Sequence, residues 1–396
     1  MRNRFHLLEL LNEESNHHIA LTKRHLCQEI KKYGGSITFE HWMDQALYAP
    51  SIGYYSSNKN KLFNIKDSLS AKGDFVTAPE LTPVFAKTFA KQLAQVLNIL
   101  HSKKILEFGA GTGRLALDLI KELDLLGIEV EYEILDISNN LKLIQKETLK
   151  EFSERVKWLD SLPENFNGCI IANEVIDAIP VKIFECSYNN IILEKHIGLD
   201  KEENFIWVDK IADDHLTKIL LPRINPTPGY ISEINIKGEA WLRTILRNTT
   251  KGIVFIIDYG FPQKEYYHPQ RDKGTLMCHL HHFTYSDPFF APGIQDITAH
   301  VDFTALANIA IETGCKILGY TSLARFLLNC GIFNVLETVD ISTPTKRINT
   351  IGPVQKLLSE NEMGELFKVI CFGINFDQQD KLMGFITKDR SEKLLI

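Results

Sequence analysis

The chain reads as a doubly wound, Rossmann-like α/β protein. Three observations predict that class: short apolar runs alternate with helical spacing from residue 83 onward, a glycine-rich turn follows the first run, and an acidic residue closes the second.

Taken in order, residues 19–33 and 37–49 carry helix-like apolar spacing, with Thr38 as N-cap and Pro50 as a stop, and Gly53-Tyr54-Tyr55 turns the chain. Val84, Phe85, Phe89, Leu93, Val96 and Leu97 predict a helix over 83–100 that delivers the chain to a short strand, 104–108. After the glycines come a helix over 115–126 and a strand over 132–136. Together these make a β-α-β unit, which has to be parallel and right-handed. The alternation continues with a helix at 141–152, strands at 156–159, 169–172 and 254–258, and a helix at 238–248. Residues 316–320 and 368–374 are expected to form a closing antiparallel pair.

Two connections are too long for simple crossovers. The one before Val254 holds strand-like pieces at 181–186 and 191–196 around Tyr188-Asn189-Asn190, a hairpin signal. The one between Asp258 and Phe303 is rich in aromatics, His, Pro and Gly. Long insertions at the carboxyl edge of a parallel sheet commonly carry function. The expected organisation is an N-terminal helical, cofactor-covering segment (1–82), a first Rossmann half (83–180), an inserted substrate subdomain (181–250), and a second half of the sheet (251–396) with a lid at about 261–303.

The 396 residues, 44% hydrophobic and 24% charged, are an ordinary globular balance. A formal charge of −6 provides no basic field, so a nucleic-acid partner is disfavoured. Seven cysteines lie scattered without a Cys-x-x-Cys pair, as buried thiols in a reducing compartment do. No apolar run is long enough to span a bilayer. Glu9, Glu13 and Glu14 fall where a secretory or transit signal would avoid acids. The expectation is a cytoplasmic protein, or a mitochondrial-matrix one if the source is eukaryotic, without membrane insertion; a homodimer is compatible.

In Glu107-x-Gly109-x-Gly111-x-Gly113 the glycines let the backbone turn sharply from strand to helix and approach a ligand that a Cβ would repel. A dinucleotide fingerprint places two residues before its last glycine. The spacing here is that of an S-adenosyl-L-methionine (SAM) turn. Glu107 at the strand end is placed to accept from the amino end of the methionine moiety, and Asp136, at the tip of the second strand, to hold both ribose hydroxyls. Asp160-Ser161, after the third strand, stands where a carboxylate takes the adenine amino group; a solvated loop acid is the alternative there.

The fourth strand ends in Asn173-Glu174-Val175-Ile176-Asp177. Polar residues directly after a buried strand stand at the carboxyl edge of the sheet, so Asn173 is read as cofactor-binding and Glu174 and Asp177 as catalytic. The alternative is helix capping by Asn173 or Asp177. A guanidinium acceptor would need carboxylates to hold its charge and aim one nitrogen at the methyl, and these two can do both.

These blocks resemble the MidA family of SAM-dependent methyltransferases, whose mitochondrial member is a complex I assembly factor that methylates an arginine. The resemblance runs through most of the chain. It covers Ile37-Thr38-Phe39, Ala46-Leu47-Tyr48 with Gly53-Tyr54-Tyr55, Gly73 to Glu80, the glycine turn, Ala172-Asn173-Glu174, Asp258-Tyr259-Gly260, Gly274-Thr275-Leu276, Asp296 to Phe303 and Met363 to Val369. It departs at Val175 and Ile176, where the family often has two phenylalanines, at Asp136, where Glu is frequent, and at Lys273, where Arg is common. The altered wall beside Glu174 leaves the acceptor open.

The resemblance implies a class I methyltransferase core with SAM as cofactor and S-adenosyl-L-homocysteine (SAH) as product. It implies Tyr54 and Tyr55 as aromatic covers, with core packing as their alternative, and Gly73, Thr77, Pro79 and Glu80 near the methionine end. His279, His281, His282 and His300 lack the spacing that puts two metal ligands on one helix face, so no metal is expected. His300, in a block with Asp302, can serve as a base or orienter. The leading expectation is a protein arginine N-methyltransferase acting on a respiratory-complex-type subunit. Methylation of a small molecule or another protein side chain, and a SAM-binding assembly chaperone without turnover, are the competing readings.

Overall fold

In the computed structural model, residues 11–57, 77–281, 283–377 and 381–395 are described. The chain forms two compact units: Met1–Phe75, Asp177–Gly238 and Gln263–His300 make the first, and Val76–Ile176, Glu239–Pro262 and Val301–Ile396 the second.

The second unit holds the doubly wound sheet. Its strands are β1 (Lys104–Phe108), β2 (Glu131–Leu135), β3 (Val156–Leu159), β4 (Phe166–Asn173), β5 (Thr249–Phe261), β6 (Lys316–Ser322) and β7 (Phe367–Ile374). They lie in the order β3-β2-β1-β4-β5-β7-β6, and Val301–Asp302 adds a short parallel rung to the end of β5. All neighbours up to β5 are parallel, whereas β7 runs antiparallel to both β5 and β6. The expected closing pair is therefore present.

Strand order reverses between β1 and β4. Connections from β1 run outward one way through β2 and β3, and those from β4 the other way through β5, which makes the carboxyl ends of β1 and β4 the switch point where open α/β sheets seat their ligands.

Helix α1 (Pro83–Leu100) begins where Thr82 accepts from the Val84 amide at 3.3 Å and Pro83 supplies a preset φ. Its buried stripe includes Phe85, Phe89, Leu93, Val96 and Leu97, the positions that predicted it. Phe89 meets Phe255 of β5 edge to face at 5.3 Å, which seats the helix on the sheet. Helix α2 (Arg114–Leu125) follows the glycine turn, and α3 (Asn139–Thr148) follows β2 with Ser138 as its cap. The helix expected over 141–152 ends at Thr148 and continues as a 3₁₀ turn, Lys150–Phe152.

The first unit is built around an antiparallel sheet of Ser36–Thr38, Lys182–Cys186, Ile192–Leu199, Phe205–Ile211 and Ile231–Ile234, with a three-stranded sheet formed from Met277–Leu280, Phe283–Tyr285 and Asp296–Thr298. The expected hairpin is there, turning at Tyr188–Asn190. Two boundaries differ from expectation. The first helix starts at Glu13, because Asn12 caps it by accepting from the Ser15 amide at 2.7 Å and so recruits a polar first turn. The second starts at Phe39 rather than 37, because Ile37 is buried in a strand opposite Ile197. Strand Phe205–Ile211 and helix Pro344–Leu358 had no counterpart in the sequence reading. Trp42, Phe39, Met43 and Leu47 lie in this unit's apolar core.

Candidate functional site

The carboxyl edge of β1, β2 and β4 in the second unit gathers Glu107, Gly109, Gly111, Gly113, Asp136, Asn173 and Glu174. β1 is flanked in register by β2 and β4, with Phe108 opposite both Leu135 and Ala172. That places Gly109 and Asp136 one step past the ends of β1 and β2, next to Asn173, the last residue of β4.

The turn itself requires glycine. Gly109, Gly111 and Gly113 have φ of +61°, +54° and +84°, all in the left-handed region that a side chain strains. Gly109 donates to the Leu135 carbonyl at 3.1 Å and Gly113 to that of Ala110 at 2.8 Å, and Gly113 then leads into α2. Around Gly111 a Cβ would meet nothing within 4 Å, whereas one on Gly113 would stand in ordinary van der Waals contact with Gln145, at 3.4 Å. The middle glycine thus borders open space, and the last one is a packing contact.

Glu107 is 2% exposed. The Tyr132 hydroxyl donates to its Oε2 at 2.8 Å, but burial dominates and pushes the carboxyl up to about 8; the Tyr132 hydrogen bond opposes the rise and the nearby Asp136 adds to it. Asp136 is also buried, which raises its pKa, while the Ser138 amide and Gln145 pull it down. Its Oδ1 accepts from the Ser138 amide at 2.9 Å and its Oδ2 from Gln145 Nε2 at 2.8 Å. A carboxylate has about four acceptor directions, so roughly one on each oxygen is left for a ligand. Ile137, next in the chain, is 66% exposed and offers an apolar face beside that acid.

Gln145 and Ile137 were not singled out in the sequence. The available signal for Gln145 was a polar residue on the inward face of an amphipathic helix that begins just after the acid. Its three partners come from three separate elements, which no local pattern contains.

Thr77, Pro79 and Glu80 lie on and before the short helix Ala78–Leu81, and Thr112 of the glycine turn donates its hydroxyl to Glu80. Thr77 occupies the N-cap position without a side-chain cap bond, and Pro79 is buried. Gly73 lies outside the described residues, as does His282. Asp160 is 98% exposed and pairs with Lys142 at 3.3 Å, and Ser161 beside it is exposed.

Beyond β4 no helix begins, so the capping alternative for Asn173 and Asp177 has no helix to act on. The chain instead makes an irregular turn in which Glu174 adopts φ +53°, a conformation costing a non-glycine residue about 1 kcal/mol or more. Two bonds hold it there. The Glu174 amide donates to the Ile257 carbonyl at 2.9 Å, and the buried Asp258 carboxylate accepts from the Ile176 amide at 3.1 Å. Asn173 Nδ2 donates to Glu174 Oε1 at 3.3 Å, and its Oδ1 is buried with no protein hydrogen-bond partner among the described residues. A buried acceptor of that kind at a sheet edge is a place for a ligand donor.

Asp177, His300, Tyr54 and Tyr55 belong to the first unit. The Ala299 amide donates to the Asp177 carbonyl at 3.0 Å, and the His300 amide to Thr275 Oγ1 at 3.0 Å. Tyr54 is buried, and Tyr55 donates its hydroxyl to Asp296 at 3.0 Å while stacking on Tyr48. Tyr54 is part of that unit's apolar core, and the partly buried Tyr55 packs against it. Among the described residues no three His, Cys, Asp or Glu side chains cluster as metal ligands. No helix among them is long and apolar enough to cross a membrane.

Residues 88–321 match a family described as S-adenosyl-L-methionine-dependent methyltransferases. The chain is similar to the mitochondrial protein arginine methyltransferase NDUFAF7 of Mus musculus, 27% identical over 87% of this chain and 82% of that one. A Caenorhabditis elegans homolog of that protein is 25% identical over 81% and 78%. Among solved structures, a COG1565 superfamily member from Burkholderia thailandensis bound to S-adenosyl-homocysteine superposes with a TM-score of 0.89. That protein is 41% identical to the present one over 96% of this chain and 98% of its own.

Proposed function

The chain belongs to this family of S-adenosyl-L-methionine-dependent methyltransferases, enzymes that use SAM as cofactor, and from that premise we propose that its acceptor is an arginine side chain of a protein. The reading is carried by Glu174, a carboxylate set in a strained backbone conformation at the end of β4, beside the switch point of the sheet. The names of the NDUFAF7 relatives support the substrate class.

When bound, SAM supplies an electrophilic methyl on a sulfonium, transferred in line to a nucleophile and leaving SAH. The chain's own groups have to hold that cofactor, present the acceptor and exclude water. The open space at Gly111 and the unfilled acceptor on Asn173 fit such a ligand. In this reading Asp136 takes the ribose hydroxyls, Glu107 and Glu80 face the methionine end, and Ile137 lies under the adenine. Glu174 accepts hydrogen bonds from the guanidinium and directs one nitrogen toward the methyl. As the new carbon–nitrogen bond forms, that nitrogen loses a proton, and in this reading the Glu174 carboxylate accepts it. A respiratory-complex-type subunit, which the family resemblance implies, is the partner class this reading takes.

The test is incubation of the full chain and labelled SAM with extract from a strain lacking it, followed by peptide mapping. Label on arginine of one protein is expected, and loss of that label with Glu174→Gln, with SAH binding kept, assigns the carboxylate. Label only on a small molecule or on another side chain would refute the arginine assignment.

A further inference from the structure

The ribose acid and the glycine turn are tied together by one side chain. Gln145 is fully buried, and it is the buried residue of a helix that otherwise faces solvent or lies half-covered. Its Nε2 donates both to Asp136 Oδ2, at 2.8 Å, and to the Gly111 carbonyl, at 3.0 Å. Its Oε1 accepts from the indole of Trp158 on β3 at 3.0 Å.

This set has one self-consistent orientation. An indole N–H can only donate, so the amide oxygen must face Trp158; the amide nitrogen then faces the two acceptors, which use both its hydrogens. The reverse orientation would set an N–H against an N–H and an oxygen against a carboxylate. Trp158 therefore fixes the amide, and the amide fixes the carboxylate relative to the turn. The loop closes through the backbone, since the Ser138 amide donates to Asp136 and the Ser138 hydroxyl caps the helix that carries Gln145. Gly113 lies alongside, where a Cβ would stand 3.4 Å from the Gln145 Cα.

From this geometry we propose that Gln145 is a positioning residue for the methyl donor, with Trp158 as its orienter. It aims the remaining acceptor directions of Asp136 at two vicinal hydroxyls and sets their distance from the glycine turn. The proposal deepens the cofactor reading above and rests on Asp136 as the ribose acid. A side chain that only filled space would affect all adenosyl ligands alike, whereas one that aims the carboxylate controls discrimination at the ribose.

Calorimetry on the full chain with SAH and its 2′-deoxy analogue separates these roles. The unaltered protein is expected to prefer the parent about tenfold, as one hydrogen bond to a charged acceptor requires. Asp136→Ala is expected to erase that preference. Gln145→Met keeps the volume but offers no donor; it should weaken SAH about tenfold and bring the preference toward one. Trp158→Phe leaves the amide free to turn and should weaken SAH about threefold, with a partial loss of preference.

Equal weakening of both ligands by Gln145→Met, with the preference intact, would overturn the proposal. Should that variant fail to fold, Trp158→Phe decides, and unchanged affinity and preference there would overturn it too. Retention of the preference by Asp136→Ala would instead refute the ribose reading itself, and the proposal with it; that result depends on neither Gln145 nor Trp158.

Discussion

Glu233 in the first unit and Asp136 in the second are both carboxylates withdrawn from water, and burial raises the pKa of each while hydrogen bonds pull it down. They differ in how fully they are satisfied. Glu233 accepts from the Thr275 amide on both oxygens, from the Thr275 hydroxyl and from the Leu276 amide, at 2.9 to 3.1 Å. A Cβ on Gly274, whose φ is +74°, would lie 2.2 Å from its Oε1. Asp136 receives two donors and looks toward a turn whose middle glycine has nothing within 4 Å of where a Cβ would stand. A buried carboxylate closed in by backbone amides is part of the architecture, and one left half-satisfied beside open space is where a ligand completes the set.

The contrast breaks most severely at Glu233. Glu233→Ala strands several buried donors, a loss of about 3 kcal/mol or more, and is expected to lower the melting temperature by roughly 4 °C. Scanning calorimetry measures it; a shift below about 2 °C would mean that the carboxylate is not a structural tie.

At the other site the expected effect is on binding. Gly111→Val puts a branched side chain into the open space, at a φ of +54° that costs the fold only about 1 to 3 kcal/mol. Affinity for SAH is expected to fall at least about a hundredfold, as for any ligand denied van der Waals access to the turn. Titration calorimetry beside a thermal melt distinguishes that from unfolding. Unchanged affinity in a folded variant would remove the ligand from the turn.

The smallest expected effect sharpens the comparison through pH. Glu107, buried and bonded to a single hydroxyl, has its carboxyl raised to about 8 from the ordinary 4.5. Between those values the folded chain keeps a proton that the unfolded chain has lost. Stability contributed by this group is therefore full below about 4.5, declines as pH rises, and is gone above about 8. Glu107→Gln cannot ionise and is expected to flatten the fall in melting temperature between pH 5 and 8. An unchanged slope would mean that Glu107 ionises normally in the fold.

Much of the core was legible because local chemistry and tertiary role coincide there. The stripe of α1, the glycines at positive φ and the hairpin at Tyr188–Asn190 each follow from a pattern within a few residues. Asn173 and Glu174 could be placed at the sheet edge because they end a fully buried run. The strand Phe205–Ile211 escaped because among the described residues it pairs only with Ile192–Leu199 and its side chains are largely exposed or half-covered, so burial imposes no alternation on it.

By itself, then, the sequence determined the doubly wound class, the turn and its conformations, and the acid that follows β2, since steric limits on φ and hydrophobic periodicity act over short stretches of chain. Only the tertiary structure decided which polar groups share partners. Gln145 meets Gly111, Asp136 and Trp158, and Asp258 meets Ile176, across separations that folding alone closes. The physical reason is that a buried donor or acceptor must be paired, and which group pairs it is set by where packing brings the elements together rather than by its neighbours in the chain.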